Sequence, residues 1–389
     1  MPAALAALAT FLFCAFLALL PALAGWITVR VGGADSSNRL WLAPAAFVGC
    51  EWVRGWIFTG FPWIDLGTSQ VPDSPLAGFA PWLGVYGTSL AVAAAAALLV
   101  ALVHSFALSR ARVALIAALA ALFAVGGAAR LIPWTEPAGA PITIALLQGN
   151  VPQELKWRDE TRLATLAEYR RMIFEADAKV VVLPETALPA FFDQLPADYL
   201  ESLREHSRRT GKDNLVGTVE REDRNGERNY YNSLARIGGG GFAAYRKRHL
   251  VAFGEFIPDG FHWILAILQI PLTDFARGPA RQPPLEAGGT KFGVAICYED
   301  LFGEEMIDFL PDAQVLLNVS NMAWFGDSLA PAQHLQASQM RALETGRWMV
   351  RATNTGATAA IDERGRVVSK LPGFTKGTLV ASVVPRKGS

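Results

Sequence analysis

The first third of the chain consists almost entirely of apolar residues, in runs long enough to cross a membrane. A membrane-spanning helix needs about 20 predominantly apolar residues. The stretches that reach this length are 3–29, 40–60, 77–106 and 113–132. We therefore predict a membrane domain over 1–133 with about four transmembrane helices, followed by a second domain over 134–389.

From residue 142 onward, short β-branched runs alternate with amphipathic stretches. The runs at 142–150, 179–185 and 214–220 are typical of buried strands. A 3.6-residue apolar period between them predicts helices at 160–177 and 197–210. This alternation favours a mixed α/β domain in which sheets are covered by helices.

The remainder of this half predicts a hairpin, one long helix and further strands. Residues 230–237 and 241–250 flank the glycine run Gly238–Gly241, which is typical of a hairpin. A helix is predicted over 331–346, with Pro331 in its first turn and Gly346 at its end. The later strands are predicted at 292–297, 314–320, 349–354, 358–362 and 378–384.

The charges of the chain are balanced overall but unevenly distributed. The chain has 35 basic and 35 acidic residues, so its net charge is zero and nothing favours a nucleic-acid partner. Only ten of these charged side chains lie in residues 1–133. Together with the positive mean hydropathy of +0.26, this distribution supports a membrane-embedded half joined to a water-exposed half.

Basic residues beside the apolar stretches predict the orientation in the membrane. The loop after the first stretch carries Arg30 and Arg39. The loop after the third carries Arg110 and Arg112, whereas the loop between the second and third has two acids and no basic residue. Because basic loops stay on the cytoplasmic side, we expect residues 134–389 on the outer side.

The second apolar stretch is the least regular because it contains Glu51 and Arg54. Their i, i+3 spacing allows them to pair on one helix face, which lowers the free energy needed to hold them in lipid. A functional ion pair and a structural clamp between helices are both compatible with this spacing.

One cysteine stands where a predicted strand meets a charged turn. Cys14 and Cys50 fall within apolar stretches, whereas Cys297 ends the run 292–297 and is followed by Tyr298 and Glu299. A free cysteine is often a small core residue. An unpaired thiol facing an oxidising compartment is a liability, which favours a nucleophile instead.

Two further strand ends carry ionisable residues: Glu185 ends the run 179–185, and Lys247 lies within 244–250. A thiol needs a base to become nucleophilic, and acyl chemistry needs a positive donor for the developing oxyanion. A carboxylate, an ammonium and a thiol supply these roles. Each residue alone also has a structural interpretation, Glu185 as a helix-capping acid and Lys247 as part of a solvated basic turn.

The five histidines are scattered and show no metal-ligand spacing, so no metal site is predicted. A cysteine–histidine pair formed by Cys297 with His249 or His334 stays open as an alternative.

Ordered motifs along nearly the whole chain resemble a known family. "LPETALP", "YRKRHLVAFGEFIP" and "AICYED" resemble the nitrilase superfamily of carbon–nitrogen hydrolases. "QGNVPQELKW", "NVSNMAWFGDS", "RALETGRWMVRATNTGATAAID" and the membrane phrase "EWVRGWIFTGFPW" are similar to its acyltransferase branch, the apolipoprotein N-acyltransferases. The resemblance implies an α-β-β-α sandwich with a Glu-Lys-Cys triad.

The resemblance also implies a role for each matching residue. Glu185 takes the position of the general base, Lys247 that of the oxyanion-stabilising residue and Cys297 that of the nucleophile. The implied supporting residues are Glu255, the second acid near the cysteine, Tyr298 and Glu299 after the nucleophile, Trp157 in a loop lining the acyl site, and Trp324 as a lining or core residue.

The implied reaction is ping-pong acyl transfer without a cofactor. A phospholipid acyl donor acylates Cys297, and the N-terminal cysteine of a diacylglyceryl apolipoprotein accepts the acyl chain. The implied location is the bacterial inner membrane, with membrane lipid as a partner and the catalytic domain on the periplasmic or outer side. A membrane-tethered nitrilase-type amidase and an inactive paralogue are the alternatives.

Two further expectations concern length and lipid entry. The family usually has additional membrane spans before the part resembled by 3–29 and a final span after the catalytic domain. We therefore expect a truncated form, a fragment or a divergent short form. The apolar segment 261–268 predicts a lipid entrance or, alternatively, a short core helix.

Overall fold

The computed structural model describes residues 3–105, 109–153, 156, 158–224, 226–238, 241–258 and 275–388. Trp157 and the apolar segment 261–268 lie outside these described residues. The described chain divides into two compact units between Pro133 and Trp134.

The first unit is helical. Its helices are α1 (Ala3–Gly32), α2 (Ser36–Arg54), α3 (Ala80–His104) and α4 (Arg110–Ala129). Short 3₁₀ turns at Ile57–Thr59, Leu66–Gln70 and Pro75–Phe79 connect α2 to α3. Small residues allow close packing, as where Ala24 of α1 lies in one buried cluster with Ala46 and Cys50 of α2.

Within the described residues, three helical segments are long and apolar enough to cross a membrane: Ala3–Gly32, Pro75–His104 and Arg110–Ala129. The chain is a membrane protein. The expected span at 40–60 is not among the three segments. Its helix α2 begins at Ser36 and ends at Arg54, and polar residues at both of its ends lower its hydropathy.

The charged residues of α2 find their main partners outside the helix. Arg54 Nη2 is 3.8 Å from Glu51 Oε1, as the spacing predicts, but only 2.6 Å from Asp65 Oδ1. Glu51 Oε1 accepts a hydrogen bond from the backbone N–H of Leu66 at 2.7 Å. These contacts tie the connecting segment to the end of α2.

Within the described residues, the first part of the second unit contains five strands of one mixed sheet, two α-helices and, first in the chain, a short strand outside that sheet. Its elements in chain order are β1 (Glu136–Pro137), β2 (Ile142–Gln148), α5 (Asp159–Glu175), β3 (Val180–Val182), α6 (Ala197–Thr210), β4 (Asp213–Arg224), β5 (Glu227–Ile237) and β6 (Ala243–Arg246). The hairpin predicted around the glycine run is confirmed, since β5 and β6 pair antiparallel with Ser233 opposite Arg246.

The second part of this unit, as far as the structure describes it, contains the second sheet and two further helices. Its elements are β7 (Leu285–Ala287), β8 (Thr290–Ile296), α7 (Gly303–Met306), β9 (Val315–Ser320), α8 (Ala330–Thr345), β10 (Met349–Thr353), β11 (Ala359–Ile361) and β12 (Val367–Lys370). Strand β13 (Gly377–Val383) returns to pair with β2 of the first sheet, and β14 (Arg386–Lys387) pairs with β1.

The two six-stranded sheets run β13-β2-β3-β4-β5-β6 and β12-β11-β10-β9-β8-β7. Alternate residues of a strand point to opposite faces. Ile144 of β2 therefore enters the core between the sheets with Val294 of β8, whereas Ala145 packs on the α5–α6 side and Ala295 on the α8 side. The expected α-β-β-α sandwich is confirmed.

Candidate active site

Cys297 lies at an abrupt bend after a buried strand. Strand β8 ends at Ile296, and a 3₁₀ turn begins at Cys297. The φ of Cys297 is +55°, a left-handed conformation that is uncommon for a residue with a side chain and often marks functional positions. The Asn318 side chain of the neighbouring strand β9 donates a hydrogen bond to the Cys297 carbonyl at 2.9 Å.

The Glu299 carboxylate stabilises this bend by accepting hydrogen bonds from the main chain. Its Oε2 accepts the backbone N–H of Ile296 at 2.7 Å, and its Oε1 accepts those of Arg248 at 2.7 Å and His249 at 3.0 Å. The Tyr245 hydroxyl donates to the same carboxylate at 3.1 Å. One buried acid therefore joins the end of β8 to the segment that follows β6.

Glu185 follows β3 and is held at both carboxylate oxygens. Oε1 accepts the Asn232 side-chain N–H at 2.7 Å, and Oε2 accepts the backbone N–H of Asn321 at 2.8 Å. Gly217 on β4 lies directly against this segment, since a Cβ there would be 2.0 Å from the Pro184 carbonyl oxygen. Glycine at 217 is therefore required for the base to occupy this position.

Lys247 follows β6 and is buried between two acids. Its Nζ is 2.7 Å from Glu255 Oε2 and 4.0 Å from Glu185 Oε1, and only 1% of the residue is exposed. Burial acts to lower the pKa of the Lys247 ammonium, but the carboxylates of Glu255 and Glu185 outweigh it and the net pKa is raised. Lys247 therefore stays positively charged at neutral pH.

Asn232 connects the two acids. Its side-chain N–H group donates to Glu185 Oε1 at 2.7 Å and to Glu255 Oε1 at 3.0 Å. Its backbone carbonyl accepts a hydrogen bond from the backbone N–H of Lys247 at 2.8 Å. Glu255 Oε2 also accepts the Val251 N–H at 2.9 Å. Sequence reasoning missed Asn232, because an asparagine inside a strand carries no motif of its own.

The Cys297 thiol lies within the electrostatic reach of these groups. Burial and, to a smaller extent, the Glu185 carboxylate raise the pKa of the thiol, the Lys247 ammonium lowers it, and the net pKa is about 12. The thiol is therefore neutral at physiological pH. Such a cysteine needs a base that removes its proton as it attacks, since the thiolate is the nucleophile.

The two histidines considered as bases both pair with acids. His249 Nδ1 is 2.7 Å from Glu305 Oε1, and its ring stacks on Phe302. His334 Nε2 is 2.5 Å from Asp300 Oδ1, within a fully buried cluster beneath the Cys297 turn. Arg351 also binds Asp300, at 2.8 Å. The cluster holds the turn through Asp300, which binds both His334 and Arg351. Its charges are paired, and an unpaired charge at this buried position would be strongly destabilising.

The remaining predicted residues lie in different surroundings. The Tyr298 ring packs against Phe302 with 5.1 Å between ring centroids. Trp324 is 73% exposed on the 3₁₀ turn Met322–Phe325, so the interpretation of Trp324 as a core residue is wrong. Trp157 lies outside the described residues.

Comparison with known proteins defines the class. Residues 143–387 match the family model described as carbon-nitrogen hydrolase. In the solved structure of the C. elegans NitFhit protein, 61% of that chain aligns with 64% of this one at a TM-score of 0.49 and 19% identity. Because the family model matches residues 143–387, more than half of the chain, the sandwich with its strand-end thiol is a carbon–nitrogen hydrolase domain.

Further matches extend over both units. Residues 1–98 match the family model described as the apolipoprotein N-acyltransferase N-terminal domain. The apolipoprotein N-acyltransferase of Nitrosomonas europaea is 48% identical over 97% of this chain and 76% of the relative. That of Methylococcus capsulatus is 46% identical over 98% of this chain and 75% of the relative. The chain belongs to the apolipoprotein N-acyltransferase family.

Proposed function

We propose that this enzyme transfers an acyl chain from a phospholipid to the α-amine of the lipidated N-terminal cysteine of an apolipoprotein, through a thioester on Cys297. Family membership supports N-acylation in lipoprotein maturation as the overall reaction. The observation that carries the mechanism is the buried Lys247 ammonium between Glu185 and Glu255, beside a neutral strand-end thiol.

In the acylation step, Glu185 removes the Cys297 proton as the sulfur attacks the ester carbonyl of the phospholipid. The negative charge that develops on the carbonyl oxygen is stabilised by the Lys247 ammonium, which is preorganised by Glu255. Collapse of the tetrahedral intermediate breaks the ester C–O bond. The leaving lysophospholipid takes the proton from Glu185, and the acyl chain stays on Cys297 as a thioester.

In the transfer step, the acceptor amine attacks the thioester carbonyl. Glu185 takes a proton from the amine, the C–S bond breaks, and the proton returns to the Cys297 sulfur. The products are an amide and the free thiol, so the enzyme returns to its starting state. A single base serves both half-reactions because the incoming amine takes the place of the departed lysophospholipid oxygen, to which Glu185 had delivered a proton.

The supporting residues have positioning roles in this proposal. Glu255 orients the Lys247 ammonium, and Glu299 holds the turn that presents Cys297. Tyr298 lies in that turn and packs against Phe302, and Trp157 and the exposed Trp324 are proposed to contact the lipid acyl chains. Aromatic side chains of this kind bury large apolar area against lipid.

The enzyme is proposed to be a multi-pass protein of the bacterial inner membrane with its catalytic unit on the outer side. The basic pair Arg110 and Arg112 begins α4, and basic residues flanking a span remain cytoplasmic. Helix α4 then leads outward to residue 134. Phospholipid and the lipidated acceptor are both components of that membrane.

The test is intact-protein mass spectrometry after incubation with phospholipid vesicles. We expect an acyl adduct on the unmodified chain and on Cys14→Ala, because Cys14 lies on the exposed side of a membrane helix. Cys297→Ala should show neither the adduct nor transfer to a lipopeptide. Near-normal transfer by Cys297→Ala would overturn the proposal, and turnover of small amides without any phospholipid adduct would favour the amidase.

A further inference from the structure

Lys156 is a buried lysine that has no part in the steps above. It lies on the segment after β2, and only 2% of the residue is exposed. Its ammonium donates to the Glu185 carbonyl oxygen at 3.3 Å and to the Thr186 hydroxyl at 2.6 Å. Both acceptors belong to the proposed base and to the residue directly after it.

Burial of this ammonium is unfavourable and calls for a compensating role. Burial lowers the pKa of Lys156 to about 8, and the nearby Glu185 carboxylate acts in the opposite direction. Lysine is rarely buried to this extent unless its donors are used. Here the ammonium donates to the main-chain carbonyl of Glu185 and to the side-chain hydroxyl of Thr186, which belong to one turn.

That turn is conformationally strained. Thr186 has a φ of +44°, and a β-branched residue is rarely found in the left-handed region. The turn sets the main-chain position of Glu185, whereas Asn232 and Asn321 hold its carboxylate. The base is therefore fixed at two ends, and Lys156 holds the main-chain end.

We propose that Lys156 is a positioning residue for the general base: its ammonium holds the left-handed Thr186 turn and so places the Glu185 carboxylate for proton removal from Cys297. The inference rests on the proposed function, because it takes Glu185 as the base.

A second contact ties the same segment to the base. The Asn321 side chain donates to Gln153 Oε1 at 2.6 Å, and the Asn321 backbone N–H is the donor to Glu185 Oε2. Gln153 and Lys156 thus anchor one segment to both ends of Glu185.

The test measures the rate of Cys297 acylation in single turnovers with two donors, phospholipid vesicles and the water-soluble ester 4-nitrophenyl butyrate. We expect Lys156→Met to lower the rate with both donors by about 10- to 100-fold, since small displacements of a catalytic group have effects of this size. The phospholipid concentration that gives half of the maximal single-turnover rate should stay within about twofold of the parental value. Lys212→Met is the matched control, because Lys212 also donates to a backbone carbonyl, that of Ala176 at 2.6 Å.

The Thr186 hydroxyl provides a second arm. Thr186→Val should slow acylation as Lys156→Met does. Thr186→Ser should keep most of the parental acylation rate, because serine retains the hydroxyl. The double variant Lys156→Met with Thr186→Val should be little slower than Lys156→Met alone, since both substitutions remove the hydrogen bond between the Lys156 ammonium and the Thr186 hydroxyl.

The other outcomes count against the Lys156 proposal, against the proposed function, or against both. Rates within twofold of the parent, or fully additive effects of the two substitutions, would overturn the Lys156 proposal. If Lys156→Met unfolds at a lower temperature than Lys212→Met, and this loss of stability accounts for the whole fall in the acylation rate, Lys156 is only a structural residue. If the parent reacts with the nitrophenyl ester but not with phospholipid, the proposed function fails while the Lys156 proposal is still measured. Reaction with neither donor would overturn both.

Discussion

At the scale of single residues, the Glu185 carboxylate affects the Cys297 thiol in two opposing ways. As a base it accepts the thiol proton during attack. As a nearby negative charge it raises the pKa of the thiol, which makes spontaneous ionisation rarer. These two effects have separate experimental signatures.

We expect Glu185→Gln to move two reactivities of Cys297 in opposite directions. Acylation by phospholipid should fall by about 10²- to 10⁴-fold, because the base is lost. Alkylation by iodoacetamide at pH 8 should become faster, by up to about tenfold for each unit by which the thiol pKa falls. Both rates are measured by mass spectrometry of the Cys297 peptide.

Glu136→Gln serves as the control, because Glu136 is an exposed acid on the two-residue strand β1. It should change neither rate. If alkylation of Glu185→Gln slows in parallel with acylation, Glu185 positions the thiol rather than accepting its proton.

At this scale the sequence predicted the ionisable residues but not their partners. Glu185, Lys247 and Cys297 each follow an apolar strand, a local signal that can be read directly. Asn232 and Lys156 lack such a signal, because their importance depends on contacts with Glu185, 47 and 29 positions away.

At the scale of elements, the Glu299 carboxylate links β8 to the segment after β6, and its protonation couples to stability. Burial raises the pKa of Glu299 to about 7, while the Lys247 ammonium and the N–H groups of Ile296 and His249 act to lower it. A folded-state pKa above the unfolded value means that the native state binds the proton more tightly. The resulting stability is complete below about pH 4.5 and is lost as the pH rises through 7.

We expect the difference in unfolding free energy between the parent and Glu299→Gln to shrink as the pH rises from 5 to 8. The total change should be on the order of 3 kcal/mol, from a shift of about 2.5 pKa units. The glutamine cannot titrate, so the variant lacks this component. Thermal unfolding in detergent over this pH range measures it.

Glu286→Gln, at an exposed position on β7, should leave the pH dependence of the parent unchanged. Parallel pH curves for the parent and Glu299→Gln would show that Glu299 keeps one protonation state throughout the range.

The elements themselves followed closely from the hydrophobic pattern. The helix predicted at 197–210 is observed at Ala197–Thr210, because an amphipathic period is a local property. Strands β7 and β12 were not predicted. They are short edge strands of three and four residues, and pairing with a neighbouring strand rather than their own pattern defines them.

At the scale of the whole molecule, the proposed topology makes a prediction about accessibility. In spheroplasts of a variant without native cysteines, an impermeant maleimide should label Asp73→Cys and Lys370→Cys. Ser109→Cys should react only after permeabilisation, because Arg110 and Arg112 hold that end inside. All three positions are exposed on the chain.

Asp35→Cys tests whether α2 crosses the membrane. We expect it to be protected like Ser109→Cys, because Arg30 and Arg39 flank it and the charged groups of α2 are paired with Asp65 and the Leu66 N–H. Labelling at Asp35→Cys from outside would mean that α2 does not span. Labelling at Ser109→Cys but not at Lys370→Cys would invert the catalytic unit.

The sequence by itself determined the apolar helices of the first unit, the alternation that produces an α/β sandwich, and the three ionisable residues at strand ends. Each of these is a local property, set by the period of apolar positions or by the residue that ends a strand. Only the tertiary structure decided that Lys247 lies 2.7 Å from Glu255 but 4.0 Å from Glu185, that Arg54 pairs more closely with Asp65 than with Glu51, and that Trp324 is exposed. Strand register and loop packing bring distant positions together, and no short stretch of sequence contains that information.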